Sequence, residues 1–239
     1  MKVLGIIPAR YESSRFPGKP LIDLKGKTMI QRVYEGALKS KKIDKLIVAT
    51  DDERIVDEVI RFGGNIMLTS KDHPNGTQRC IEVLKLNTDF DIVINIQGDE
   101  PLVNFNQLDE LLSAFENPEV EIATLGIKTN KSDELENPNR IKLITDFQNN
   151  ALYFSRSKIP FERNNIFEYN YLRHIGLYAF RSEALIQIGS FEECQIENIE
   201  SLEQLRWMYY GKKIKVVETE IETPNIDTPE DLNEVLKYL

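Results

Sequence analysis

The chain has 239 residues, of which 41% are hydrophobic and 29% charged, and its formal net charge is -9. That length suits one sizeable α/β domain or two small ones, and the acidic balance argues against nucleic acid as the main partner. No apolar run approaches the ~18 residues of a membrane span and the amino terminus lacks the pattern of a secretory signal, so no membrane partner and a cytoplasmic location are expected.

Two cysteines, Cys80 and Cys194, lie far apart and read as reduced structural thiols. With only His73 and His174 available, a multi-histidine metal site is excluded, whereas a hard cation held by carboxylates stays open.

The apolar run Val3-Leu4-Gly5-Ile6-Ile7 reads as a buried first strand. A loop carrying Arg10, Arg15 and Lys19 among turn residues follows it. Met29, Ile30, Val33 and Ala37 then mark a helical face. Leu46 to Ala49 form a second strand, and Ile55, Val56, Val59 and Ile60 a helix stopped by Gly63-Gly64. After a short strand at Ile66, Met67 and Leu68, a polar loop runs into Gly76-Thr77-Gln78-Arg79 and a helix. Ile92 to Ile96 is the most hydrophobic strand and delivers Gln97-Gly98-Asp99-Glu100-Pro101, with Glu100 expected to turn outward. Leu108, Leu111, Leu112 and Phe115 mark a further helix.

This alternation predicts a mostly parallel central sheet flanked by helices, the Rossmann-like α/β class. Residues 119–181 look different, with strand signals and no long helices, and read as a β-rich excursion inside a single domain of residues 1–239. A helix over 196–210 and a strand at 214–217 follow. In Asp227-Thr228-Pro229-Glu230-Asp231-Leu232, Thr228 suits a helix cap and Pro229 the first helical position.

Three cations at the carboxyl end of a buried strand call for an anion, and a nucleoside triphosphate is the natural one. The loop is not a P-loop, because Leu21 stands where the first glycine should be, and no Gly-x-Gly pair supports a dinucleotide fingerprint. Phosphate must therefore be held by basic side chains and exposed backbone N–H groups. Asp99, directly after the most buried strand, suits a magnesium ligand. Asp227 is free for the same role if Thr228 caps the last helix. His174, Gly176 and Tyr178 share one strand face, an open polar surface suited to a hydroxylated substrate.

Taken together, the motifs Ile6-Ile7-Pro8-Ala9-Arg10-Tyr11, Phe16-Pro17-Gly18-Lys19-Pro20-Leu21, Gln97-Gly98-Asp99-Glu100-Pro101, Leu172-Arg173-His174-Ile175-Gly176 and Leu202-Glu203-Gln204-Leu205-Arg206 carry a resemblance over nearly the whole chain. The sequence resembles the 3-deoxy-manno-octulosonate cytidylyltransferases, the CMP-Kdo synthetases of the sugar nucleotidyltransferase superfamily. The resemblance implies transfer of CMP from CTP to the anomeric hydroxyl of 3-deoxy-manno-octulosonate (Kdo), with Mg2+ as cofactor, in a homodimer serving lipopolysaccharide synthesis. It implies nucleotide contacts by Ala9, Arg10, Arg15, Lys19, Gly76, Thr77, Arg79 and Gln97, with Lys19, Arg10 and Asp99 central to catalysis. Gln97, Arg163, His174, Tyr178 and Glu203 would hold the acidic sugar, an Arg and a His being sensible partners for its carboxylate, and Asp99 and Asp227 the metal. Asn75, Gln78 and Asn225 depart from the family's usual serine, glutamate and glycine. The alternatives are a cytidylyltransferase for another acidic sugar, such as an 8-amino analogue of Kdo or a sialic-acid type, and a non-catalytic nucleotide-binding protein.

Overall fold

The computed structural model describes residues 1–12, 16–164, 169–224, 226 and 231–239. Arg15, Asn225 and Asp227, and the cap residues Thr228 and Pro229, lie outside the described residues.

Strand β1 (Val3–Ala9) is buried along its length and pairs in parallel with β2 (Lys45–Thr50) on one side and β4 (Ile92–Asn95) on the other. Strand β3 (Ile66–Leu68) extends the parallel sheet beyond β2. Alternate β1 residues face opposite layers, as strand periodicity requires. Ile7 packs with helices α1 (Met29–Ala37) and α4 (Phe105–Ser113), while Leu4 and Ile6 pack with α3 (Gly76–Lys85). Helix α2 (Glu53–Arg61) is capped by the Asp52 carboxylate on the Arg54 N–H and closes at Gly63, whose φ of 78° favours glycine.

Beyond β4 the sheet turns mixed. Strand β8 (Tyr171–Arg181) is antiparallel to β4 and to β5 (Ile122–Thr129), and β9 (Ile214–Glu218) runs parallel to β5, giving the order β3-β2-β1-β4-β8-β5-β9. The β-rich stretch is therefore no excursion from the sheet, because β5 and β8 lie within it. Only β6 (Lys142–Thr145) and β7 (Ala151–Ser155) sit off this path.

Two short helices, α5 (Ser132–Glu136) and α6 (Ser182–Ile188), escape the periodicity reading. The single helix expected over 196–210 is two, α7 (Gln195–Glu200) and α8 (Gln204–Tyr209), broken where Ser201 takes a left-handed φ of 50°. The break lets Leu202 bury and sets Glu203 at the start of α8. The described part of the last helix is α9 (Leu232–Val235). No helix among the described residues is long and apolar enough to cross a membrane.

This topology decides where a site can form. From β1 the chain goes to β2 and β3 on one side, then returns to β4 on the other, so a switch point lies between β1 and β4. Because β8 runs antiparallel to β4, its early residues stand beyond the β4 carboxyl end. The chain leaving β9 returns to the same edge, where the Ile226 N–H meets the Asp99 carbonyl at 3.1 Å.

Candidate active site

Two segments, the β4 exit at Gly98 and the start of α3 at Gly76, close on Pro8 in β1. A Cβ on Gly98 would stand 2.8 Å from the Pro8 carbonyl oxygen, and one on Gly76 would stand 3.2 Å from the Pro8 ring. The contact with backbone at Gly98 demands glycine for close approach, while the one at Gly76 is tight. Ala9, the last residue of β1, is itself buried.

The basic loop closes on itself, with the Gly18 N–H donating to the Tyr11 carbonyl at 2.8 Å. Gly18 takes a φ of 72°, and Lys19 begins the short 3₁₀ turn Lys19–Leu21. The Lys19 Nζ donates to Asp99 Oδ2 at 2.8 Å and to the Ile226 carbonyl at 2.6 Å. First loop, β4 end and the residue preceding Asp227 in sequence are therefore tied together by one ammonium. The Arg10 guanidinium donates to the His73 carbonyl. Burial, and then the charge of Arg79, lower the Arg10 pKa against the pull of Asp51. A cation penalised in this way gains from an incoming anion.

At the start of α3, the Asn75 side-chain oxygen caps the helix by accepting from the Gln78 N–H at 2.9 Å. Gln78 turns away to donate to the Gly189 carbonyl, so its departure from the family pattern lies off the site. The Thr77 hydroxyl donates to Glu203 Oε2 at 2.9 Å, which joins the expected base reader to an expected sugar contact. Burial raises the Glu203 carboxyl to about 7, against the hydrogen bond from Thr77 and the charge of Arg206.

That shift has a measurable consequence. The unfolded chain releases this proton near the ordinary carboxyl value and the folded chain near 7, so the folded state holds more protons between the two. Stability therefore falls as pH rises across that window. Glu203→Gln is expected to remove the slope and to exceed the parent stability at pH 8 by about 2–3 kcal/mol, read from urea midpoints at pH 5 and 8. Equal slopes in both proteins would refute the assignment.

Arg79 is a correction. Its side chain is fully buried, donating to Asp51 Oδ2 at 3.0 Å and to the Thr69 hydroxyl, so it is an internal ion-pair partner and not a nucleotide contact. Glu100 is a second correction: it is buried, where an outward turn was expected.

A cavity of about 250 Å³ opens beside Asp99 and Gln97 and reaches Arg140, Arg173, His174 and Gly176. Gln97 donates to the Gly176 carbonyl at 2.9 Å, linking β4 to β8 at the cavity wall. Gly176 leaves open space where a side chain would stand. The His174 Nε2 lies 2.9 Å from the Thr124 hydroxyl, whose oxygen also lies 2.8 Å from the Leu177 carbonyl. Burial pushes His174 down to about 3, with the Arg173 charge adding to the effect. The imidazole is therefore neutral, and could meet a carboxylate only as a hydrogen-bond donor through a ring N–H.

Tyr178 shares the His174 face, with ring centres 5.3 Å apart, but it is buried against Trp207 and Phe180 rather than lining the cavity. Arg163 is exposed and lies outside the cavity lining. Arg140 escaped the sequence reading, and Arg173 stood in a quoted motif without a role of its own; the pairing of Lys142 with Arg173 sets the two segments side by side at this wall.

Among the described residues no group of three or more metal-ligating side chains occurs. Asp99 is nevertheless a hard oxygen donor in the cavity wall, with one oxygen already paired to the Lys19 ammonium. One carboxylate supplemented by phosphate oxygens is how Mg2+ is commonly held.

A family model described as Cytidylyltransferase matches residues 4–214. The 3-deoxy-manno-octulosonate cytidylyltransferase of Fusobacterium nucleatum is 48% identical over 240 residues, covering 100% of this chain and 97% of that protein. An 8-amino-3,8-dideoxy-manno-octulosonate cytidylyltransferase of Shewanella frigidimarina is 46% identical over 237 residues, covering 97% and 96%. A solved structure of a CMP:2-keto-3-deoxy-manno-octonic acid synthetase complexed with CTP superimposes with a TM-score of 0.95 at 42% identity, covering 100% of this chain and 98% of that one. With matches of that extent, the chain belongs to the cytidylyltransferases, in the family of the 3-deoxy-manno-octulosonate cytidylyltransferases.

Proposed function

We propose that the protein transfers CMP from CTP to the anomeric hydroxyl of Kdo, releasing pyrophosphate and forming CMP-Kdo for lipopolysaccharide synthesis in the cytoplasm. The observation that carries this reading is the junction of Lys19, Asp99 and Ile226 beside the cavity, on which a triphosphate and an acceptor could converge. The anomeric oxygen attacks the α-phosphorus, the bond to the pyrophosphate oxygen breaks, and the hydroxyl proton is released. Lys19 and Arg10, with Arg15, draw the phosphates against the β1 end and offset their growing charge. Gly76 and Thr77 face the base, and Gln97 stands between nucleotide and sugar. The residues align two substrates; no protein nucleophile is required.

Asp99 and Asp227 would hold Mg2+, which when bound supplies charge neutralisation at the phosphates. We take the protein to act as a homodimer through strands of the β-rich middle. The relative named for the 8-amino sugar keeps a second acceptor in view, since the same chemistry serves both.

The test is pyrophosphate release with each nucleoside triphosphate against each acidic sugar. CTP with Kdo is expected to exceed UTP or ATP with Kdo by at least about 100-fold, because a site built to hydrogen-bond one base leaves polar groups unpaired with another. Release with the 8-amino sugar and not with Kdo would favour the second reading, and no release with any sugar would leave a nucleotide-binding protein.

A further inference from the structure

We propose that Arg140 is the side chain that receives the carboxylate of the acceptor sugar. This deepens the reading above and rests on it. An acidic acceptor entering this cavity meets Asp99 and Glu222 in its wall, so it needs a cation that is not already committed. Lys19 is bound to Asp99 and to a backbone carbonyl. Arg173 is buried between two carboxylates, donating to Glu222 and lying 3.3 Å from Glu134. His174 is neutral. Arg140 is exposed and lines the same wall. No hydrogen bond or ion pair among the described residues engages its guanidinium. Its charge reaches only as far as helping to hold the Glu134 carboxyl low: burial opposes that shift, while the Thr129 hydroxyl, Arg173 and Lys131 also favour it.

The backbone beneath Arg140 is fixed in advance. The Lys142 ammonium, on a fully buried side chain, donates to the carbonyls of Asn137 at 3.0 Å, Arg140 at 2.7 Å and Arg156 at 2.6 Å. The Arg156 guanidinium donates to the Pro138 carbonyl at 2.9 Å. Two cations thus hold residues 137–140 from beneath. An arginine on such a base can present its planar fork to a carboxylate without the cost of ordering a loop. Arg163, which the family resemblance suggested for this role, lies outside the cavity lining.

The experiment is steady-state kinetics of Arg140→Gln and Arg140→Lys, with Kdo and with its methyl ester as acceptors. In Arg140→Gln the KM for Kdo is expected to rise about 10- to 100-fold, the scale of a lost charge-assisted hydrogen bond. The KM for CTP should stay within about twofold, the preference for acid over ester should vanish, and Arg140→Lys should recover part of it. Pyrophosphate release by the parent protein, with an unchanged Kdo KM in Arg140→Gln, overturns the Arg140 assignment alone. A parallel rise in both KM values also overturns it, by showing a general disturbance. If the parent protein releases no pyrophosphate from CTP and Kdo, the activity reading falls and this assignment with it.

Discussion

Asp99→Ala should lower kcat by about a thousandfold while leaving the protein folded. The carboxylate stands at the meeting of the basic loop, the β4 end and the strand return, bound to Lys19 at 2.8 Å. In the proposed reaction it touches the place where charge is redistributed as pyrophosphate departs, and losing one such preorganised group commonly costs about 10²- to 10³-fold. The proposed cation role adds to that loss. Stability should fall by only about 1 kcal/mol, because the pair is partly exposed and Lys19 keeps its bond to Ile226. Lys19→Ala should lower kcat by about 10²-fold or more for the same reason. The measurement is pyrophosphate release across a magnesium titration, beside a melting curve. A near-parental rate with an unaltered magnesium response would remove Asp99 from the chemistry.

Arg79→Met should act on the other quantity. It leaves the Asp51 carboxylate facing an apolar chain, and breaking a buried ion pair by removing one partner costs about 3–5 kcal/mol. Asp51 keeps some exposure, which favours the lower end of that range. In the fraction that stays folded, the KM for CTP should change by no more than a few-fold, through the lost charge behind Arg10. A variant that melts like the parent but no longer binds CTP would return Arg79 to the nucleotide site. Urea unfolding and CTP titration together separate the two outcomes.

The contrast between these residues shows what the sequence could tell. Strand β1, its basic loop and Asp99 were legible because an apolar run followed by clustered cations, and an acid after the most buried strand, are local signals. Arg79 follows Gly76 and Thr77 at a helix start and looks the same whether it faces a phosphate or a buried acid. The partner that decides the matter, Asp51, comes 28 residues earlier at the end of another strand. Arg173 is hidden in the same way, since Glu134 and Glu222 reach it from distant segments. The break at Ser201 carries no glycine or proline, and its apolar residues continue a helical spacing, so only tertiary packing reveals it. The antiparallel entry of β8 was equally out of reach: its strand signal was plain, but strand neighbours are set by long-range pairing.

The glycines around Pro8 bear on how this protein should fail. The start of α3 and the β4 exit both abut a single proline in the buried strand β1, with no room for even a methyl group at Gly98. The proposed catalytic geometry is then no appendage that could loosen while the body endures; it is a property of a close-packed seam at the end of β1. Warming should erase turnover and structure in one step, and evolution can retune acceptor choice at the far wall without touching that seam.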